Sequence, residues 1–368
     1  MKAQYYVGLM SGTSMDGVDA VLVDFSQEPL QVIATHEEPL LQPLLNQLHQ
    51  LANPDTNDIT LLGQCDRACG ELFAKATLNL LSKANIQAEQ VIAIGSHGQT
   101  VRHMPNIAYP FSMQIGDAST IATITGIDTI ADFRRKDIAL GGQGAPLVPA
   151  FHHQLFTHQQ HSRVILNIGG ISNITFINAG GGEVSGYDTG PGNTLLDAWY
   201  AQHNDGSYDK SGHWAKAGTV NGKLLERLLS HPYFDQQAPK STGRELFNLS
   251  WLYNQLNELS PLDAQDVQAT LAQFTAITIA NEIVKLAQVS QVYVCGGGVF
   301  NDDLMARIHS LLSQAVESTQ ALGLAPQWVE AIAFAWLAYR FVEKKPSNLP
   351  QVTGASKAAI LGAYYPAS

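Results

Sequence analysis

The chain has 368 residues, 45% hydrophobic and 14% charged, with a formal net charge of −11. That length exceeds what one core organises and suits two domains, and the composition argues against fibrous and disordered classes. The acidic balance argues against nucleic acid, which needs stripes of Lys and Arg, but not against a nucleotide held by backbone N–H groups and Mg²⁺.

The chain opens with a short apolar run, Tyr5 to Met10. It is too short for a secretion signal, and no apolar stretch reaches the about 18 residues of a membrane span. The expectation is a cytoplasmic protein with no membrane partner. Residues 5–25 read as strand, tight turn and strand: YYVGLM, then SGTSMDG, then VDAVLVDF. The tip, with Gly12, Thr13, Ser14, Met15, Asp16, Gly17, Val18 and Asp19, is dense in groups that can donate to phosphate oxygens. Asp16 or Asp19 could hold Mg²⁺, which takes few carboxylates and keeps several waters. An ordinary Asp/Gly turn explains the same residues. No Walker A sequence occurs.

A helix is predicted over Leu61–Ala84 from apolar spacings of three and four. It carries Cys65 and Cys69; with Cys295 they make three cysteines, an odd and sparse count that argues for a reducing compartment. VIAIGSHGQT, residues 91–100, reads as a strand ending in a turn, with His97 and Gln99 as candidates to line a ligand cleft. The plainer reading of His97 is a partly buried, hydrogen-bonded histidine. Residues 104–110 and 141–149 read as loops. Between them ADFRRKD precedes GGQGAP, so Arg134 or Arg135 could clamp a substrate carboxylate, or the cations could belong to a solvated loop.

Residues 164–178 repeat the opening hairpin as VILNI, GGISN and ITFIN, with Gly169, Gly170 and Asn173 at the tip. Two such hairpins about 160 residues apart suggest a duplicated fold, one copy per lobe. YDTGPGN follows, and it reads as a stiff turn holding Asp188, with Gly190 and Asn193 after it. Asp188 could be a general base, or a cap for the helix predicted over Thr194–Gln202; Asn193 fits the cap better. Residues 203–222 read as a polar loop and Val267–Ala287 as a helix. QVYVC then leads through Gly296, Gly297 and Gly298 into a helical segment, an arrangement that suits an adenine ring lying on backbone or a close helix–strand crossing. Glu330 heads a helix predicted to Glu343; it either favours the helix N-terminus or faces a substrate. The pattern gives α/β lobes with a partly parallel sheet: an N-terminal lobe over 1–130 to which 340–368 returns, and a C-terminal lobe over 131–339.

Taken together, SGTSMDGVD, SHGQT, DFRRKDIALGGQGAPLVP, NIGGISNIT, DTGPGN, CGGGVFN, EAIAFAWLA and LPQVTGAS resemble the anhydro-N-acetylmuramic acid kinase family, in order and over nearly the whole chain. The resemblance implies a two-lobed actin-like ATPase with ribonuclease H-like duplicated domains and ATP in a cleft between the lobes. It implies phosphoryl transfer from ATP to O6 of an anhydro amino sugar, with hydrolytic opening of the anhydro ring. By motif, Gly12 to Asp19 would be the phosphate loop, Asp188 the base, and Glu330 a second group at the sugar. His97, Gln99, Arg134, Gly190 and Asn193 would contact the substrate, Mg²⁺ would accompany ATP at Asp16, and a homodimer is possible. The rival readings are a conventional free-sugar kinase and a non-catalytic actin-like switch.

Overall fold

The computed structural model describes all residues except 1, 2, 13, 14, 16, 54, 55, 239 and 287. Alternating and continuous apolar runs rich in Val and Ile become strands. In chain order these are β1 (Tyr5–Met10), β2 (Gly17–Asp24), β3 (Gln31–Pro39), β4 (Val91–Ser96), β5 (Gln99–Met104), β6 (Phe111–Ile115) and β7 (Thr129–Ala131). They continue with β8 (Arg163–Ile168), β9 (Ile171–Ile177), β10 (Val184–Pro191), β11 (Gln291–Cys295), β12 (Ala315–Ser318) and β13 (Ala363–Tyr365).

Two sheets share one plan. The first has the order β13-β7-β4-β1-β2-β3 and the second β10-β9-β8-β11-β12. In the first, β1, β2 and β3 form an antiparallel meander, β4 joins β1 in parallel and β7 joins β4 in parallel. In the second, β8, β9 and β10 repeat the meander, β11 joins β8 in parallel and β12 joins β11 in parallel. This is the duplicated ribonuclease H-like plan of the actin-like ATPases. The chain divides into two compact units, Met1–Phe151 with Trp328–Ser368, and His152–Gln327. The sequence reading set these divisions at 130 and 340. Helix Phe133–Ala139 lies in the first unit, and so does all of helix Val329–Val342.

Each unit has its own core. In the first, Val7, Leu9, Val18 and Leu22 pack with Phe73, Leu80 and Ile94. Helix Ile59–Ala84 starts where the Asp58 carboxylate accepts the Thr60 and Leu61 amides, both at 2.9 Å, and stops at Asn85 in the left-handed region. Cys65 and Cys69 are part of its buried stripe, and all three cysteines are free. Helix Val329–Val342 lies directly on β1 and β4. Gly8 and Gly95 permit this: a Cβ at Gly8 would run into the Ala331 carbonyl, and one at Gly95 into the Phe334 carbonyl. In the second unit, helix Ala264–Lys285 covers the sheet through Ala276, Ile279 and Ile283. A separate aromatic core gathers Trp199, Tyr233, Phe247 and Phe274.

Some expectations shift. Residues 203–222 are not all loop, since helix His213–Ala217 forms there. The Asp209 carboxylate nucleates it by accepting the Trp214 and Ala215 amides at 2.9 Å each. The stretch 141–149 already contains the start of helix Val148–Phe156. Among the described residues no helix is long and apolar enough to cross a membrane.

Candidate functional site

The first unit gathers its candidates at the β1–β2 tip. Thr13, Ser14 and Asp16 lie outside the described residues. The tip is tied down at its start. Ser11 is 1% exposed, with Oγ 2.9 Å from the Gly17 carbonyl and 2.7 Å from Gln99 Oε1. The Gln99 side-chain amide donates to the Gly12 carbonyl at 3.2 Å. Met15 and Val18 point their side chains into core clusters, so only their backbone faces the tip.

His97 completes the anchor. Arg134 Nη2 lies 2.9 Å from Nε2, and a guanidinium only donates. The imidazole proton therefore sits on Nδ1, which donates to the Ser11 carbonyl at 3.2 Å. Burial, then the neighbouring Arg134 charge, holds the His97 pKa down to about 3. The ring is neutral near pH 7, and both nitrogens are used within the protein. Arg134 also donates to the Gly144 carbonyl at 2.8 Å. Asp137, fully buried, fixes the same loop: it accepts Gly144 N at 2.9 Å, and Asn348 Nδ2 and Thr353 Oγ1 at 2.8 Å each. Asp137 is a residue the sequence reading did not single out. The clue was its place between RRK and GGQG, but its two side-chain partners here, Asn348 and Thr353, lie more than two hundred positions on. Glu330 is half-buried in the first turn of helix Val329–Val342, one turn before Phe334, whose ring meets that of His97 at 4.7 Å between centroids.

The second unit gathers the others at the β8–β9 tip. Gly169 and Gly170 turn their carbonyls toward the next helix. Gly170 O accepts the Gly192 and Thr194 amides at 2.9 and 3.0 Å, and Gly169 O accepts the Asn193 amide at 2.9 Å. The expected cap by the Asn193 side chain is not made; its amide donates to the Ile168 carbonyl at 3.4 Å instead. Backbone of the tip does the capping.

Asp188 is not in a turn. It lies within β10, paired with Asn173 of β9, and half-buried. The Gly-Pro composition misleads because Gly190, at φ +144°, makes a register shift that lets the strand run on to Pro191. The Asp188 amide donates to Lys240 O at 3.2 Å, its carbonyl accepts the Tyr233 hydroxyl at 2.7 Å, and its Oδ2 accepts Thr242 N at 2.9 Å. The three glycines after β11 split in role. Gly296, at φ +83°, and Gly298 sit against Ile168, where a Cβ would collide; Gly297 is exposed, with only Asn193 Nδ2 near, at 4.0 Å from where its Cβ would stand. Close packing thus accounts for two of them, and Gly297 is the one with open space above it.

The chain has clear relatives. A sequence-family profile described as anhydro-N-acetylmuramic acid kinase matches residues 4–367. Proteins of that name from Shewanella pealeana and Shewanella oneidensis are each 58% identical over 368 residues, covering 100% of both chains. Among solved structures, component A of the Acidaminococcus fermentans (R)-2-hydroxyglutaryl-CoA dehydratase is 12% identical at a TM-score of 0.47, covering 93% of this chain and 100% of its own.

Proposed function

This chain belongs to the anhydro-N-acetylmuramic acid kinase family, and on that premise we propose that Asp188 is the base that takes a proton from water at the anomeric carbon. The protein is an ATP-dependent phosphotransferase of peptidoglycan recycling. It converts 1,6-anhydro-N-acetylmuramic acid, ATP and water to N-acetylmuramic acid 6-phosphate and ADP.

The chemistry of the substrate selects the role. O6 is bonded to C1 and carries no proton, so a base beside O6 has nothing to remove. Water attacks C1 as the C1–O6 bond breaks, with oxocarbenium character at C1. The water proton passes to the Asp188 carboxylate. O6 takes the γ-phosphoryl group and the bond to the β-phosphate breaks, releasing ADP. Phosphoryl transfer itself depends mainly on positioning and charge stabilisation.

The remaining candidates follow. By motif, Gly12, Thr13, Ser14, Met15, Asp16, Gly17, Val18 and Asp19 are assigned to ATP, and so are Gly169, Gly170, Asn173 and Gly297, backbone N–H groups at such tips being suited to phosphate oxygens. Gly296 and Gly298 shape that face. His97 and Gln99 act on the substrates through the tip they hold. Arg134, itself fixed by Gly144 and His97, suits the substrate's lactyl carboxylate. Gly190 and Asn193, which follow Asp188 in the chain, are assigned to the sugar, and by motif so is Glu330. Mg²⁺ takes one or two carboxylates with nucleotide phosphates. Asp19, half-buried opposite Met10 at the base of the tip, is a donor of that kind. When bound, the ion neutralises charge on the transferred group. A cytoplasmic setting fits three free, buried cysteines.

The observation that supports the reading most is the Asp188 carboxylate held by a backbone amide on a strand. The test is mass spectrometry of product formed in ¹⁸O water, with the native protein and Asp188→Asn. The native product should carry one label at C1 and an unlabelled 6-phosphate. Asp188→Asn should keep sugar binding and lose at least about a hundredfold in rate. Near-normal turnover removes Asp188 from the role. Equal phosphorylation of free N-acetylmuramic acid would favour a conventional kinase, and sugar-independent ATP hydrolysis an actin-like switch.

A further inference from the structure

One buried lysine in the second unit takes no part in the reaction above. Lys240 Nζ lies 3.0 Å from Glu282 Oε1, with the two side chains 1% and 6% exposed. Lys285 approaches the same oxygen at 2.8 Å from the surface side. The Lys240 ammonium sits 4.9 Å from the centre of the Tyr233 ring. A buried ion pair of this sort is often no more stabilising than apolar residues of the same size. What it does offer is direction, because a charge–charge hydrogen bond fixes both partners in place.

The backbone shows what is being fixed. Lys240 is two residues before Thr242, whose amide donates to Asp188 Oδ2. The Lys240 carbonyl accepts the Asp188 amide, and the Tyr233 hydroxyl, on the ring beside the ammonium, donates to the Asp188 carbonyl. These three bonds at Asp188 thus involve Lys240 itself, a residue two positions on from it, and the ring beside its ammonium. β10 is an edge strand of its sheet, and the 240–242 segment lies on its open side through these bonds. Without an anchor that segment would be an ordinary surface loop. We propose that Lys240, with Glu282 and Tyr233, is a positioning residue for Asp188: the buried pair locks the 240–242 segment so that the Asp188 carboxylate is aimed before substrate arrives. This rests on Asp188 as the base. Lys240 itself is too enclosed to meet sugar or nucleotide.

A base must be held within about half an ångström of its working position, and a misplacement of about 1 Å can cost on the order of a hundredfold. The experiment is a double-mutant cycle on the single-turnover rate with the anhydro sugar and ATP. Lys240→Met should lower that rate about tenfold or more, with KM for both substrates within about twofold of native. In the Asp188→Asn background the same change should cost less than about twofold, because the two losses are one loss. An equal loss in both backgrounds overturns the proposal. Tyr233→Phe, which deletes one hydroxyl without stranding a charge, carries the same cycle if Lys240→Met does not fold. Near-normal turnover by Asp188→Asn alone defeats the base assignment instead, so the two failures are told apart.

Discussion

His97 shows how a neighbour decides what a side chain can do. In isolation, a histidine after a strand near glycines reads as a group lining a cleft or as a partly buried, hydrogen-bonded one. Arg134 on one nitrogen and the Ser11 carbonyl on the other make it an uncharged strut. Its folded pKa, near 3, lies below the unfolded value of 6.5. The stabilising contribution of the neutral ring is therefore complete above 6.5 and is lost as pH falls toward 3, because the unfolded chain takes up a proton that the folded one refuses. His97→Gln should flatten the dependence of unfolding free energy on pH between 7 and 5 by up to about 1.4 kcal/mol per pH unit. Denaturant titrations at three pH values measure this. His103 and His152, held down to about 4 and about 3 by burial, contribute to the slope that remains. An unchanged slope would mean that His97 titrates as an exposed histidine does. Sequence alone could nominate His97 but not its partner, 37 positions away, and it nominated Asp188 while mistaking its strand for a turn.

At the scale of elements, sequence read best where a pattern was long. The four predicted helices near 61, 194, 267 and 330 all form, with ends within about three residues, the usual spread for helix termini. Short elements were harder. Helix Gln42–Ala52, which starts at a proline and has leucines at helical spacing, was not among the predicted elements. Helix His213–Ala217 depends on Asp209, a cap placed several residues before it. The contact of helix Val329–Val342 with β1 and β4 gives a sharp test. Gly95→Ala should push the helix off the sheet and destabilise by about 1–3 kcal/mol, with activity falling as Glu330 moves. Gly63→Ala, in helix Ile59–Ala84 where a Cβ meets nothing within 4 Å, should instead stabilise by about 0.5–1 kcal/mol. Thermal melts of the two variants compare them directly; equal and opposite shifts are not required, but a stabilising Gly95→Ala would refute the packing argument.

For the whole molecule, the repeated hairpins were the most informative signal, because each stands for a 3-2-1-4-5 sheet, to which the first unit adds β13. The parallel additions, β4 with β7 and β11 with β12, were less visible, since pairing across tens of residues leaves little mark on local pattern. The first unit is closed by distant sequence. Asp137 accepts from Asn348 and Thr353, β13 pairs with β7, and helix Val329–Val342 covers β1 and β4. Asn348→Leu with Thr353→Val should leave the buried carboxylate short of donors, at a cost of about 1–3 kcal/mol for each lost partner. The first unit should then melt earlier while the second is little changed, which hydrogen exchange resolves by region. Uniform loss of protection in both units would count against this account.

That arrangement also sets an order of events during synthesis. Residues 152–327 leave the ribosome before 328–368, so the inserted unit has every strand of its sheet while the earlier one still lacks a helix and an edge strand. The apolar face around Gly8 and Gly95 stays uncovered through that interval. A nascent chain at this stage is a natural client for holding chaperones, and a pause in translation anywhere across the inserted unit would prolong its exposure.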